Sequence, residues 1–147
     1  MLPSDFAVGA LRYLDQVPGR ERENRIVLEV HFGSLPSSFA VLDTGSPYCI
    51  LSPNEANLLG IDYRTKATEQ PLLNIRGYKV PGWMVRLPIR LEPDQGDEIE
   101  IDASVFIPNL SGNVVWAFPN FLGLTGFLER IRFAVDPANN LFYYGHT

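Results

Sequence analysis

Phe39-Ala40-Val41-Leu42-Asp43-Thr44-Gly45-Ser46-Pro47 joins an apolar run to a cluster of turn-forming residues. The run from Phe39 to Leu42 has the length and flanking breakers of a buried β-strand. It delivers one carboxylate, Asp43, where the chain must turn sharply. Gly45 is expected to supply unusual backbone angles and to let a second backbone or a ligand come close. The hydroxyls of Thr44 and Ser46 are expected to hydrogen-bond the turn or the carboxylate and so orient it. A carboxylate held at the mouth of a rigid strand and turn suits proton transfer. Taken alone, the same four residues also make an ordinary turn after a strand, so the neighbouring sequence has to decide.

On the N-terminal side, Ile26 to Phe32 is rich in β-branched and aromatic residues. Gly33-Ser34 and Pro36-Ser37 separate it from the Phe39 run, so the two read as a hairpin. On the C-terminal side, Tyr48 to Leu51 is a short strand. Ser52-Pro53-Asn54-Glu55 then starts a helix, with Ser52 as cap, Pro53 at its first position and Glu55 completing a capping box; Gly60 closes it. Pro71 to Ile75 and Tyr78 to Leu91 form a second hairpin across Arg76-Gly77. Glu98 to Ala103 alternates strictly and continues to Ile107 as a half-buried strand. After a loop, Val114 to Phe118 leads into Asn120-Phe121-Leu122-Gly123-Leu124. Phe127 to Arg130 reads as one or two helical turns, Ile131 to Asp136 as a strand, and Leu141 to Tyr144 as its partner. Asp136 is expected to cap the turn between them. Near the N-terminus, Phe6 to Leu14 reads as a short amphipathic helix behind Ser4 or Asp5, ended by Pro18-Gly19, and Arg20 to Arg25 as a solvated linker. The expectation is an all-β fold with one or two short helices, with an N-terminal arm or linker over 1–24 and one domain over 25–147.

Composition narrows the functions. The chain has 147 residues, 46% hydrophobic and 20% charged, which fits a folded globular domain and excludes general disorder. Twelve glycines and twelve prolines favour a turn-rich β protein over a helical bundle. A formal net charge of −5 and the lack of a basic stripe argue against nucleic acid as a partner. No apolar run approaches membrane-spanning length and no signal peptide is recognisable, so a cytoplasmic location without a membrane partner is expected. Cys49 stands in an apolar stretch and is expected to be a core residue rather than a nucleophile. With His31 and His146 it makes too small a set for a metal site, so neither metal nor cofactor is expected. Trp83 and Trp116 are expected to pack in the core more than to line a groove. Gly45-Ser46 lacks the preceding glycine of a nucleophile elbow. Phosphoryl transfer through Asp43 calls for a second acid two positions later, where Gly45 stands.

The order of these parts resembles the retropepsin-like aspartic proteases, the single-domain, retroviral-type half of the pepsin architecture, and in particular their bacterial members. The resemblance runs over roughly residues 25 to 145 and rests on three stretches. Phe39 to Ser46 is similar to the family's apolar–apolar–Asp-Thr-Gly-Ala/Ser loop. The hairpin with its tip near Gly77 stands about where bacterial members carry the flap. Asn120 to Leu124, followed by Gly126 to Arg130 and Phe133 to Asp136, is similar to the family's apolar–apolar–Gly element, short helix and closing strand. Three departures are visible, the first being Pro47 after Ser46, where retroviral members often begin a polar stretch. The flap lacks the retroviral Gly-Gly pair, and Leu124-Thr125 replaces the Arg-Asp or Arg-Asn that braces the active-site loop in many members.

The resemblance implies a closed, barrel-like single lobe of the acid-protease type. It implies Asp43, Thr44 and Gly45 as the catalytic loop, Ser46, Arg76, Gly77 and Tyr78 as substrate-binding residues, and Leu122 and Gly123 as support packed under Asp43. A glycine at 123 independently suits a close crossing of two backbones. Peptide hydrolysis of this kind uses two carboxyls about 3 Å apart, one protonated and one ionised. With a single Asp-Thr-Gly in the chain, the second Asp43 must come from another copy, so a homodimer acting on a peptide or protein substrate is expected. The alternative is a dimeric binding or assembly module that keeps the fold without cleaving.

Overall fold

The computed structural model describes residues 6–20, 25–60, 62, 66–112 and 114–147. Eleven strands make up most of the regular structure: β1 (Gly9–Arg12), β2 (Val27–Phe32), β3 (Ser38–Leu42), β4 (Cys49–Ile50), β5 (Leu72–Ile75), β6 (Tyr78–Leu91), β7 (Gln95–Gly96), β8 (Ile99–Pro108), β9 (Asn120–Leu122), β10 (Ile131–Asp136) and β11 (Leu141–His146). A short helix α1 (Pro53–Asn57) follows β4, and a single 3-10 turn (Leu128–Arg130) precedes β10. The main sheet runs β2-β3-β9-β4-β8-β6 and closes on itself, because His31 and Phe32 of β2 also pair with Arg90 and Ile89 of β6. The result is a closed six-stranded barrel, as expected from the resemblance. Among the described residues no helix is long and apolar enough to cross a membrane.

Strand alternation builds two apolar layers from the same strands. One set faces the barrel interior, where Leu28, Phe32, Ala40, Leu51, Ile89, Val105 and Leu122 are essentially inaccessible. The residues between them face outward and meet in register. Val27 pairs with Val41, Val41 with Phe121, Phe121 with Ile50, Ile50 with Phe106, and Phe106 with Met84. They form one apolar row crossing five strand-to-strand boundaries on the outer face. Leu73, Ile75 and Val80 of the β5–β6 hairpin pack onto this row.

The hairpin exists because β6 is longer than the barrel needs. Its residues Gly82 to Leu91 pair with β8 from Pro108 back to Ile99, and the stretch before Gly82 projects beyond the wall with β5 as its partner. The two-residue turn Arg76-Gly77 has φ of 51° and 84°, the pair of positive values of the turn that matches the twist of a hairpin.

The second sheet runs β10-β11-β1-β7 and corrects one expectation. The described part of Phe6 to Leu14 is not a helix; it contains strand β1. Leu11 lies opposite Phe142 on β11, and the Arg12 N–H donates to the Asp94 carboxylate at 2.6 Å. Leu11 and Tyr13 are buried, so the described part of the segment read as an arm or linker packs against the body. The capping residues proposed for that helix, Ser4 and Asp5, and positions 21–24 of the charged stretch lie outside the described residues. The helix start at Ser52 agrees with its reading, since the Ser52 hydroxyl accepts the Glu55 N–H. Asp136 caps its turn by accepting from the Ala138 N–H at 3.2 Å.

Candidate active site

Asp43 is the first residue beyond β3 and is half-buried. Its N–H donates to the Leu122 carbonyl at 3.0 Å, extending the parallel pairing of β3 with β9 by one step. The chain then turns: the Ser46 N–H donates to the Asp43 carbonyl at 3.1 Å, and the Gly45 N–H donates to Asp43 Oδ1 at 2.9 Å. The carboxylate is therefore fixed by its own turn, the local bond that makes Asp a turn residue. The Ser46 hydroxyl donates to the Tyr48 carbonyl at 2.8 Å and closes the far side of the loop. Thr44 is exposed, and among the described residues its hydroxyl forms no hydrogen bond.

Gly45 lacks the unusual backbone angles expected of it. It is not among the residues with positive φ. What the missing side chain allows is proximity, since a Cβ there would stand 3.2 Å from Asp43 Oδ1.

The crossing at Gly123 is tighter. A Cβ on Gly123 would overlap the Tyr48 carbonyl carbon and oxygen and come within 2.9 Å of the Ser46 carbonyl oxygen. Just beyond it, the Leu124 N–H donates to the Ser46 carbonyl at 2.8 Å and the Thr125 N–H to the Pro47 carbonyl at 2.7 Å. The loop from Asp43 to Pro47 is thus held by main-chain bonds at both ends, from Leu122 on one side and from residues 124 and 125 on the other. Two backbone amides, those of Leu124 and Thr125, brace the loop, and the Leu124 side chain is left exposed.

The loop faces a cleft of about 320 Å³. Asp43, Gly45, Ser46 and Pro47 form one wall; Ile50 and Phe121, from the outward apolar row, form its floor. Leu73, Asn74, Ile75 and Arg76 of the hairpin form the opposite wall, and Arg25 closes one end. Of the substrate-binding residues expected from sequence, Ser46 and Arg76 meet here. Gly77 is the second turn residue. Tyr78 lies along a separate apolar groove with Val114 and Val115. Leu122 and Gly123 stand directly under the loop. Arg25, Asn74, Ile50 and Phe121 were not singled out by sequence; only Phe121, a large apolar residue between two support positions, carried a readable signal.

Asn120 is a further residue that sequence reading passed over. It is buried, and its side chain ties together elements distant in sequence. Its Oδ1 accepts the Ser52 N–H at 2.8 Å, and its Nδ2 donates to the Ser38 hydroxyl and the Phe39 carbonyl at 3.1 and 3.2 Å. The Glu55 carboxylate accepts from both Asn120 Nδ2 and the Ser38 hydroxyl. This network fixes β9 between β3 and α1 and so fixes the height of Leu122 beneath Asp43. Cys49, by contrast, is buried, and burial pushes its thiol up to about 12 despite the nearby Gly123 N–H. A thiol so protonated is a packing group and not a nucleophile.

No family model and no curated protein matches this sequence. The fold has a solved counterpart: a retropepsin-like aspartic protease from Rickettsia conorii. That structure aligns over 92% of this chain and 98% of its own, with a TM-score of 0.59 and 19% sequence identity. The fold is retropepsin-like. In this retropepsin-like lobe, the β5–β6 hairpin lines the cleft opposite the Asp43 loop and β9 threads between β3 and β4.

The hairpin is expected to behave as a mobile lid. β5 is paired on one side only, Leu72 and Tyr78 are 59% and 73% exposed, and the tip is tethered by the Arg76 guanidinium lying 4.8 Å from the Phe118 ring centroid. Amide hydrogen exchange at residues 74–80 should be faster than in β10 by about a hundredfold or more, as for a locally opening segment. Equal protection in both would exclude a lid.

Proposed function

We propose that the protein is an aspartic endopeptidase that acts as a homodimer, with one Asp43 from each chain on the two-fold axis. The observation that carries the proposal is the fixed carboxylate at the cleft wall, hydrogen-bonded within its own turn, braced from β9 and facing the hairpin across a cleft of about 320 Å³. Among the described residues Asp43 is the sole acid lining the cleft, so one chain supplies one carboxyl and a symmetric partner supplies the other. The ionised member of the pair takes a proton from the shared water, and the water oxygen attacks the scissile carbonyl. The protonated member donates a hydrogen bond to the carbonyl oxygen as charge develops there. Collapse of the tetrahedral intermediate breaks the C–N bond, and the amine leaves with a proton from the pair. The reaction consumes water alone and balances without a cofactor.

The exposed Leu124 favours a second reading, a dimeric binding or assembly module on the same fold, because a loop without its usual cationic brace is compatible with binding alone. Dilution separates the two. For the peptidase, activity per chain falls once the concentration drops below the dimer dissociation constant. Adding about a ninefold excess of Asp43→Asn chains should reduce the activity of the parent chains to about a tenth, because mixed dimers carry one competent carboxyl. A monomer fully active at nanomolar concentration refutes the shared site, and a parent that cleaves no peptide selects the binding module.

A further inference from the structure

The cleft beside Asp43 does not end at its arginines. Arg25 and Arg76 also line an adjoining hollow of about 170 Å³, whose other walls include Gln16, Arg20 and Phe118. We infer that this trench recognises a carboxylate on the substrate, an acidic side chain close to the scissile bond, with Arg76 and Arg20 as its principal partners. The inference rests on reading the Asp43 cleft as the substrate site.

Local charge is the first argument. The chain carries 17 acidic and 12 basic residues, yet among the described residues the two joined hollows are lined by three arginines and a single acid, Asp43. A concave wall of one sign concentrates its field on whatever enters.

Posture is the second. The Arg76 guanidinium lies over the Phe118 ring, 4.8 Å from its centroid, and Arg20 donates through one nitrogen to the Ala117 carbonyl at 2.7 Å. A cation–π contact spends no N–H donor on an oxygen, so a carboxylate can still accept two parallel bonds from the guanidinium. Among the described residues neither Arg20 nor Arg76 forms an ion pair.

The backbone gives the third. Arg76 occupies a left-handed conformation, φ 51°, in a turn that Asn or Gly fills with less strain. An arginine retained there against local preference points to a use for its side chain. Because Arg76 and Asp43 line one cleft of about 320 Å³, the recognised group falls within about three residues of the cleaved bond, at about 3.3 Å per extended residue.

The test uses a cleaved peptide in which one position at a time, on either side of the bond, carries Glu or Gln, each made with a free and an amidated C-terminus. At one position Glu should exceed Gln in kcat/KM by about tenfold, and the advantage should shrink as salt is raised. Arg76→Asn should erase the preference; Asn suits the turn, and an unchanged melting temperature verifies folding. Arg76→Glu should reverse it in favour of Lys. Binding of the same labelled peptides to the Asp43→Asn protein, followed by fluorescence anisotropy, reads recognition without cleavage. Glu-selective binding with no cleavage by the parent overturns the peptidase and supports the carboxylate site. A preference that vanishes on amidation overturns the side-chain assignment and gives the recognised carboxylate to the peptide terminus. Equal handling of Glu and Gln, or no measurable binding at any position, overturns the inference whether or not the protein cleaves peptides.

Discussion

Replacing Asp43 by Asn is expected to abolish peptide cleavage, with kcat/KM falling by at least about a thousandfold, while the fold stays intact. The size follows from the chemistry. In a dimer the substitution removes both carboxyls at once, so neither a base for the water nor an acid for the carbonyl oxygen remains, and each role alone is worth about a hundredfold or more. The fold is expected to survive because an asparagine side chain at this position keeps an oxygen to accept the Gly45 N–H, and the main-chain bond to Leu122 does not involve the side chain. Cleavage of a denatured protein and of a peptide library, with melting curves for parent and variant, checks both halves. In the parent, a proton shared by two carboxyls should give a bell-shaped pH dependence whose two limbs belong to the pair. Equal cleavage by parent and variant would remove Asp43 from the mechanism.

Gly123→Ala should be the most destabilising single-methyl change in the site. The new Cβ overlaps the Tyr48 carbonyl, and neither backbone is free to yield, since both are pinned by the bonds from Leu122, Leu124 and Thr125. Overpacking of this kind costs about 1–3 kcal/mol, and the loss of one or two flanking hydrogen bonds adds about 1 kcal/mol each. At about 2–4 °C per kcal/mol for a chain of this size, the melting temperature should fall by roughly 10 °C. Gly45→Ala is the control: its Cβ meets one side-chain oxygen at 3.2 Å, so it should lose activity through a shifted carboxylate and far less stability. Similar melting temperatures for Gly123→Ala and the parent would mean that the two backbones separate more readily than their contact implies.

Much of this arrangement was legible in sequence because local chemistry and tertiary role coincide. The apolar run into Asp43, the capping box at Ser52, the Arg76-Gly77 turn and the glycine after Leu122 each satisfy a local rule that the fold also uses. Residues 6–14 failed because their partner is remote. Nothing nearby distinguishes a helix from β1, whereas the unpaired edge of β11 and the carboxylate of Asp94 decide it. Asn120 failed for the same reason, its partners Ser38, Ser52 and Glu55 being contributed by other elements. Arg25 became visible as a cleft residue only once β2 and β5 were brought together. Of the two properties expected of Gly45, unusual backbone angles and close approach, the backbone is not left-handed, and what comes close is the Asp43 carboxylate.

The threading of β9 between β3 and β4 also dictates an order of events. β3 and β4 are near neighbours in the chain but do not touch along the sheet; the strand that joins them arrives from the last third of the sequence. Until Asn120 to Thr125 has been synthesised and inserted, Asp43 has neither the Leu122 carbonyl below it nor the amides that clamp its loop. Such a pairing is among the slower steps open to a folding chain, because so long a loop must close before it is rewarded. The carboxylate therefore leaves the ribosome well before it becomes a positioned group, because β9 has still to emerge and insert, a delay written into the topology itself.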